Sequence, residues 1–216
     1  MKKLKLIIGI LIGIMFSSHL NAQEYILDEK VVTGIFEAEK NDKSELFSSI
    51  NKWISINYNS AKNVIQMNDK ESGTIIIKGI NEVAYKNPMK TIYPNNKYAK
   101  EYATIKFNHL IEINIKDNRY RIIFRITDIA SQDAGANHLI FKCINFKGTN
   151  DESINEYNEF NESFLKAGMV GKKKRELFKS LSKPMFVELS KNTVTDIKLT
   201  LKSIEVSLET KAKDDW

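Results

Sequence analysis

The stretch Ser44–Gly79 constrains the fold most, because it predicts a helix, a strand, a turn and a second strand in unbroken succession. Ser44 suits the N-cap of the helix. The apolar residues that follow recur at helical spacing: Leu46, Phe47, Ile50, Trp53, Ile54 and Tyr58. The strands are predicted at Val64–Met67 and Thr74–Tyr85, with the turn Asp69–Gly73 between them. This order of elements predicts an α+β domain.

The clearest strand pair spans Tyr102–Lys116 and Arg119–Thr127, where apolar and polar residues alternate. Asp117 and Asn118 supply a two-residue hairpin turn, which fixes the register. The expected cross-strand partners are Ile113 with Ile122, Ile111 with Phe124, and Glu112 with Ile123. Apolar and polar sets stay on separate faces of both strands, as a correct register requires.

A first strand is predicted at Val31–Glu37, and a polar loop at Asn87–Lys100. The chain therefore runs as strand, helix, and four strands that pair consecutively, followed by helices.

Two runs within this order resemble a known bacterial family. They are WISINY at Trp53–Tyr58 and AKNVIQMNDKESGTIIIKG at Ala61–Gly79. Over Val31–Ile129 the chain resembles DUF4468, an exported domain-of-unknown-function family with a TATA-binding-protein-like (TBP-like) fold. The resemblance implies a β-α-β-β-β-β-α fold with an antiparallel sheet and its helices on one face. Residues 23–130 are predicted to supply the β-α-β-β-β-β part, and the last helix of the C-terminal extension packs on the sheet. It supplies no catalytic residue and does not imply DNA binding, because fold alone is a poor guide to function.

Residues 131–216 are predicted to form a mainly helical extension. Within it, His138–Phe146 is predicted as an edge strand. Helices are predicted at Glu152–Lys166 and Lys172–Leu181, the second of them ended by Pro184.

A last helix is predicted at Phe186–Glu209. It carries an apolar stripe at spacings of three and four residues: Val194, Ile197, Leu201, Ile204 and Leu208. The stripe suits either packing on the sheet beside the first helix or self-association with a second copy of the chain. The basic run Lys172–Arg175 suits either an anionic-surface contact or a solvated helix face.

Residues 1–22 predict a cleavable export signal, cut after Ala22. The apolar run Leu6–Phe16 is too short for a stable membrane anchor. Its positive start is supplied by Lys2, Lys3 and Lys5. Cys143 is the only cysteine, so none stands at the cleavage point for a lipid anchor. We expect a periplasmic or secreted protein for which the membrane is only the export route.

Export also limits the kinds of partner that we expect for this protein. The three lysines that leave with the signal lower the net charge from +6 to +3, which is a weak field. Together with export, this charge leads us to expect no nucleic-acid partner.

The sequence holds no recognisable catalytic, metal-binding or cofactor-binding motif. His109 falls on the apolar side of its strand, and His138 is an isolated loop histidine. Cys143 lies in an apolar alternation typical of a small buried hydrophobe. Asp69 and Glu71 are more typical of a turn than of a calcium loop. We expect no enzyme, no cofactor and no metal.

The candidate site is the polar face of the sheet, opposite the helices. Its predicted residues are Lys78, Lys106, Asn108, Asn114, Arg119, Arg121 and Arg125. We expect a binding module that uses this face for an anionic or polar partner, either a protein or another cell-envelope component. One alternative is a structural, self-associating protein that acts through the C-terminal helices. Another is a solvated face, where Glu112 pairs with Arg121 and Arg125 on its diagonals.

Overall fold

The computed structural model describes residues 25–130 and 134–211. The strands are β1 Tyr25–Asp28, β2 Val31–Glu37, β3 Ile65–Asp69, β4 Thr74–Lys86, β5 Tyr102–Lys116 and β6 Arg119–Ile129. The helices are α1 Lys43–Asn57, α2 Ala61–Val64, α3 Pro88–Ile92, α4 Ala134–Cys143, α5 Asp151–Ala167 and α6 Lys172–Lys211. The predicted export signal lies outside the described residues.

The six strands form one antiparallel sheet in the order β1-β2-β6-β5-β4-β3. The predicted hairpin register is confirmed, since Ile113 pairs with Ile122 and Glu112 with Ile123. Asn118 takes φ 63° in the turn, a conformation that asparagine tolerates better than most residues. The fold is α+β, as the sequence predicts.

Helix α1 begins two residues earlier than the predicted cap implies. Asp42, rather than Ser44, is the N-cap: its Oδ1 accepts a hydrogen bond from Glu45 N at 2.8 Å, and Glu45 Oε2 accepts one from Asp42 N at 3.0 Å. This reciprocal pair is a capping box, which satisfies two amides that the helix leaves unpaired.

Three short elements were not predicted. Strand β1 adds an edge beside β2, and helices α2 and α3 occupy parts of predicted loops. Strand β3 is also shifted toward the turn relative to the predicted Val64–Met67.

The predicted edge strand His138–Phe146 is wrong, because helix α4 covers most of it. Leu139 and Cys143, four residues apart, are both buried in the core. Ile144 and Phe146 follow them into the core beyond the end of the helix. A short apolar run does not by itself distinguish a strand from a buried helix.

The predicted helix end at Pro184 is also wrong, because α6 runs for 40 residues with Pro184 inside it. A proline in a helix interior costs about 3 kcal/mol. Burial of Phe178, Met185 and Phe186 on both sides of it offsets this cost. The ring of Tyr157 on α5 packs against Phe186, with a centroid distance of 5.0 Å.

The C-terminal half of α6 lies on the same face of the sheet as α1. Ile197, Leu201 and Ile204 are fully buried in the common core. Trp53 Nε1 on α1 donates a hydrogen bond to Ser203 Oγ on α6 at 3.2 Å. The apolar stripe of α6 is therefore used within the chain. Among the described residues, no helix has the length and apolar composition needed to span a bilayer.

Candidate functional site

All seven predicted site residues lie on the sheet face that points away from α1 and α6, here called the open face. The cross-strand register places them on neighbouring strands β4, β5 and β6. The structure divides them into three groups, however, and each group has different neighbours.

The first group lies at the hairpin end of the open face. Arg121 Nη2 donates to Asn114 Oδ1 at 2.5 Å, and Asn114 Nδ2 donates to Glu112 Oε1 at 2.9 Å. Arg119 joins Asn114 and Arg121 in lining a cavity of about 220 Å³, which Ile35 also borders. The expected direct pairing of Glu112 with Arg121 and Arg125 is thus wrong. Instead, Asn114 bridges Glu112 to Arg121.

The second group occupies the centre of the face. Lys78 and Arg125 are both register partners of Leu110, on opposite sides of it. Within the described part of the chain, neither has an acidic group within 4.0 Å. Two exposed cations therefore flank an aliphatic side chain.

The third group is the farthest from the hairpin turn. Lys106 Nζ lies 3.5 Å from Glu82 Oε2. A hydrogen bond from Thr104, together with the charge of Lys106, holds the pKa of the Glu82 carboxyl below its usual value. Lys106 is therefore partly neutralised, which makes it the weakest candidate among the basic residues. Asn108 lies on this side of the face, at the edge of a larger cleft.

Sequence reasoning missed the apolar part of the open face. Ile26 and Ile35 are 57% and 51% exposed, and Ile80 is 60% exposed. Ile76, Leu110 and Ile123 lie between them at half-buried outward positions. The signal was present in the sequence, because isoleucine separates charged residues at outward positions of β4 and β6, and β5 adds Leu110. The face is mixed aliphatic and basic, not simply polar.

On the opposite side of β5, a buried histidine heads a short polar chain. His109 Nε2 lies 3.5 Å from Tyr58 Oη, and its Nδ1 lies 3.4 Å from Asn81 Oδ1. Asn81 Nδ2 in turn donates to Asp196 Oδ2 of α6 at 3.0 Å. Burial lowers the pKa of His109 to about 4 and raises that of Tyr58 to about 12. His109 is consequently neutral near pH 7, as expected of a core histidine.

Gly79 makes room for this histidine. A Cβ atom at position 79 would lie 2.6 Å from His109 Nε2 and 3.0 Å from Tyr58 Cε1. Both rings border a cleft of about 890 Å³, which runs from Lys78 on β4 to the segment after α1. A cleft of this volume is typical of ligand-binding sites.

The residues considered for metal or redox chemistry do not form a site. Among the described residues, no group of three or more histidine, cysteine, aspartate or glutamate side chains is placed to hold a metal. Asp69 Oδ1 instead accepts from Glu71 N at 2.9 Å within its turn. Cys143 is buried, and burial raises the pKa of its thiol to about 12. It is therefore a small buried hydrophobe, as predicted.

Residues 33–130 match the model of a family described as "Domain of unknown function (DUF4468) with TBP-like fold". A solved DUF4468 family protein from Bacteroides ovatus is 14% identical, with 53% of this chain and 63% of that chain covered at a TM-score of 0.39. A TBP-like protein from Parabacteroides distasonis is 16% identical, with 83% and 92% covered at a TM-score of 0.44. No match is found among curated proteins.

Proposed function

We propose a function from the geometry, because residues 33–130 match the model of a family, DUF4468 with a TBP-like fold, whose function is unknown. The chain is a non-catalytic binding module, and it holds a partner protein on the open face of its sheet. The mixture of exposed isoleucines and unpaired cations on that face carries the proposal.

A solvated sheet face normally presents polar side chains to water. Here Ile80, more than half exposed, shares the open face with Lys78 and Arg125, which have no acidic neighbour among the described residues. Protein interfaces combine an apolar, fully buried centre with a polar rim, and arginine is enriched in them. The partner we propose therefore presents an apolar patch bordered by carboxylates.

The export signal predicted at residues 1–22 supports a partner in the cell envelope or outside the cell. We propose a periplasmic or secreted location on this ground, with no role for nucleic acid. Self-association through Val194–Leu208 has less support, because the central side chains of that stripe are buried inside the chain. A catalytic role also has little support, because burial keeps both His109 and the Tyr58 hydroxyl that it contacts neutral near pH 7.

The test is site-specific photo-crosslinking in the native cell. A photoreactive residue is placed at Ile123, in the middle of the open face, or at Lys179, an exposed position on α6. We expect a discrete crosslinked protein from position 123 and not from position 179. The double reversal Arg121→Glu with Arg125→Glu should reduce its yield at least tenfold, because charge reversal at a matched interface both removes attraction and adds repulsion.

The matched control is the double reversal Lys172→Glu with Lys173→Glu, which makes the same charge change on exposed residues of α6. This control should leave the crosslink unchanged. The proposal fails if position 123 yields no protein crosslink, or if both double reversals reduce the yield equally while the circular dichroism spectra of both remain native.

A further inference from the structure

Strand β4 is much longer than its outer neighbour β3. The pairing between them ends at Ile77, which lies opposite Ile65, whereas β4 continues to Lys86. At the far end, α6 covers the exposed edge: Asn192 Nδ2 donates to Ala84 O at 2.9 Å, and Glu188 Oε1 accepts from Lys86 N at 3.3 Å. Between β3 and the region that α6 covers, the segment Lys78–Glu82 pairs with β5 on one side and has no strand among the described residues on its outer edge.

The register shows which main-chain N–H and C=O groups of this segment point to the outer edge of the strand. The β4 and β5 pairing is continuous from Thr74 to Lys86, without a bulge. Main-chain groups alternate between the two edges of such a strand. Since Ala84 O and Lys86 N point to the outer edge, the N–H and C=O groups of Ile80 and Glu82 point there as well. None of these four groups has a hydrogen-bond partner within the described part of the chain.

The part Lys78–Ile80 of this open edge borders the cleft of about 890 Å³, which also reaches Asn108, Leu110 and Thr127 on the open face. The opposite wall is the segment that leads from the end of α1 into α2, so the cleft has the form of a slot beside a strand. Its polar lining is rich in side-chain amides, which are supplied by Asn57, Asn59, Asn63 and Asn108. An amide side chain both donates and accepts, as a peptide group does.

We propose that an extended peptide segment of a partner protein binds in this cleft as an added strand beside Lys78–Glu82. Ile80 and Glu82 present paired donors and acceptors at a repeat of about 6.8 Å, the spacing of alternate residues in an antiparallel strand. Strand addition of this kind draws affinity from main-chain hydrogen bonds and selectivity from side-chain pockets. The site adjoins the open face, with which it shares Lys78, Ile80 and Asn108, but the proposed main-chain hydrogen bonds are made at the edge of the sheet.

The lining also specifies the chemistry of the peptide. Lys78 has no acidic partner among the described residues, so it favours an aspartate or glutamate in the peptide. On the core side, Tyr58, Val64 and neutral His109 form a half-apolar wall with little free depth above Gly79. The peptide therefore carries a small apolar side chain at the position that points to this wall.

The test starts from a phage-displayed library of random heptapeptides, panned on the protein purified from cells that express the full sequence. We expect enrichment of peptides with one acidic and one small apolar residue. The best peptide is then synthesised with N-methyl groups on alternate amides, in each of the two registers. One register should weaken binding at least tenfold, because it removes the N–H groups that face β4, and the other should weaken it less.

On the protein side, Ile80→Pro removes one outward N–H and should also weaken binding at least tenfold, since proline is tolerated on an edge strand. If this variant does not fold, amide hydrogen exchange of the unmodified protein tests the proposal instead. In the unmodified protein, the amides of Ile80 and Glu82 should exchange fast and become protected by the peptide, while those of Gly79 and Asn81 stay unchanged.

Three results would overturn the inference. They are the absence of any enriched peptide, equal binding by both N-methylated registers and the parent peptide, and peptide binding that leaves the amides of Ile80 and Glu82 exchanging fast. Binding of a sugar from a glycan array, lost in Asn63→Ala, would assign the cleft to a glycan instead. The open-face double reversal should leave peptide affinity within threefold, so the two proposals fail separately.

Discussion

The buried histidine makes the stability of this protein depend on pH in a calculable way. His109 ordinarily titrates at 6.5, whereas burial lowers its pKa to about 4 in the folded chain. The groups that contact its ring are Tyr58, Asn81 and Phe124, all of them uncharged near neutral pH. Asp196 contacts Asn81 rather than the ring, so its carboxylate reaches His109 only through Asn81.

The sign follows from proton binding. Between pH 6.5 and pH 4 the unfolded chain protonates His109 and the folded chain does not, so acid favours unfolding. The stabilising contribution is fully present above pH 6.5 and is lost as the pH falls toward 4. With about 1.36 kcal/mol per pKa unit, the free energy of unfolding should fall by roughly 1.4 kcal/mol between pH 7.5 and pH 5.5 from this residue alone.

The assay is urea unfolding at pH 7.5 and pH 5.5 for the unmodified protein and for His109→Gln. Comparing the pH dependence of the two proteins cancels the shared effect of carboxylates, including Asp28, Asp69 and Asp151, whose pKa values are lowered in the folded state. The unmodified protein should lose roughly 1.4 kcal/mol more than the variant. A difference below about 0.3 kcal/mol would mean that the folded protein protonates His109 readily, which would refute its burial in a neutral form.

Two further substitutions test the packing. Gly79→Ala should destabilise the fold by about 1–3 kcal/mol in urea unfolding, because the new Cβ would meet a His109 ring already held against Phe124, at a centroid distance of 4.5 Å. Gly171→Ala, which meets nothing within 4 Å, is the matched control; equal effects of the two changes would contradict this reasoning. Pro184→Ala should stabilise the protein by up to about 3 kcal/mol, since Pro184 is exposed and lies in the interior of α6. A loss of stability would show that Pro184 contributes packing of its own.

The sheet was predictable because its signals are local. Alternation along β5 and β6 and a two-residue turn fix one register, and a slip by one residue would expose every inward isoleucine. The C-terminal region was less predictable because tertiary contacts decide it. Whether Pro184 ends a helix depends on whether Phe178 and Phe186 find a common partner, and that partner, Tyr157, lies on another helix.

The candidate site was predictable in position but not in its interactions. Sequence alternation places Arg121 and Glu112 on one face, yet it does not show that Asn114 accepts from the first and donates to the second. The open edge of β4 was hidden for a different reason. It depends on the residue at which β3 begins to pair with β4. That residue is Ile65, and the register shifts between it and Met67.

Gly79 connects the buried core to the open edge. Glycine in a strand interior is unfavourable for the strand itself, and it often marks a close approach of neighbouring groups. Here the missing side chain admits the His109 ring and Tyr58 over the strand, so these two rings form the core-side wall of the cleft. A larger residue would displace the rings into the cleft. The same glycine therefore keeps the histidine buried and leaves the edge of β4 accessible to a peptide.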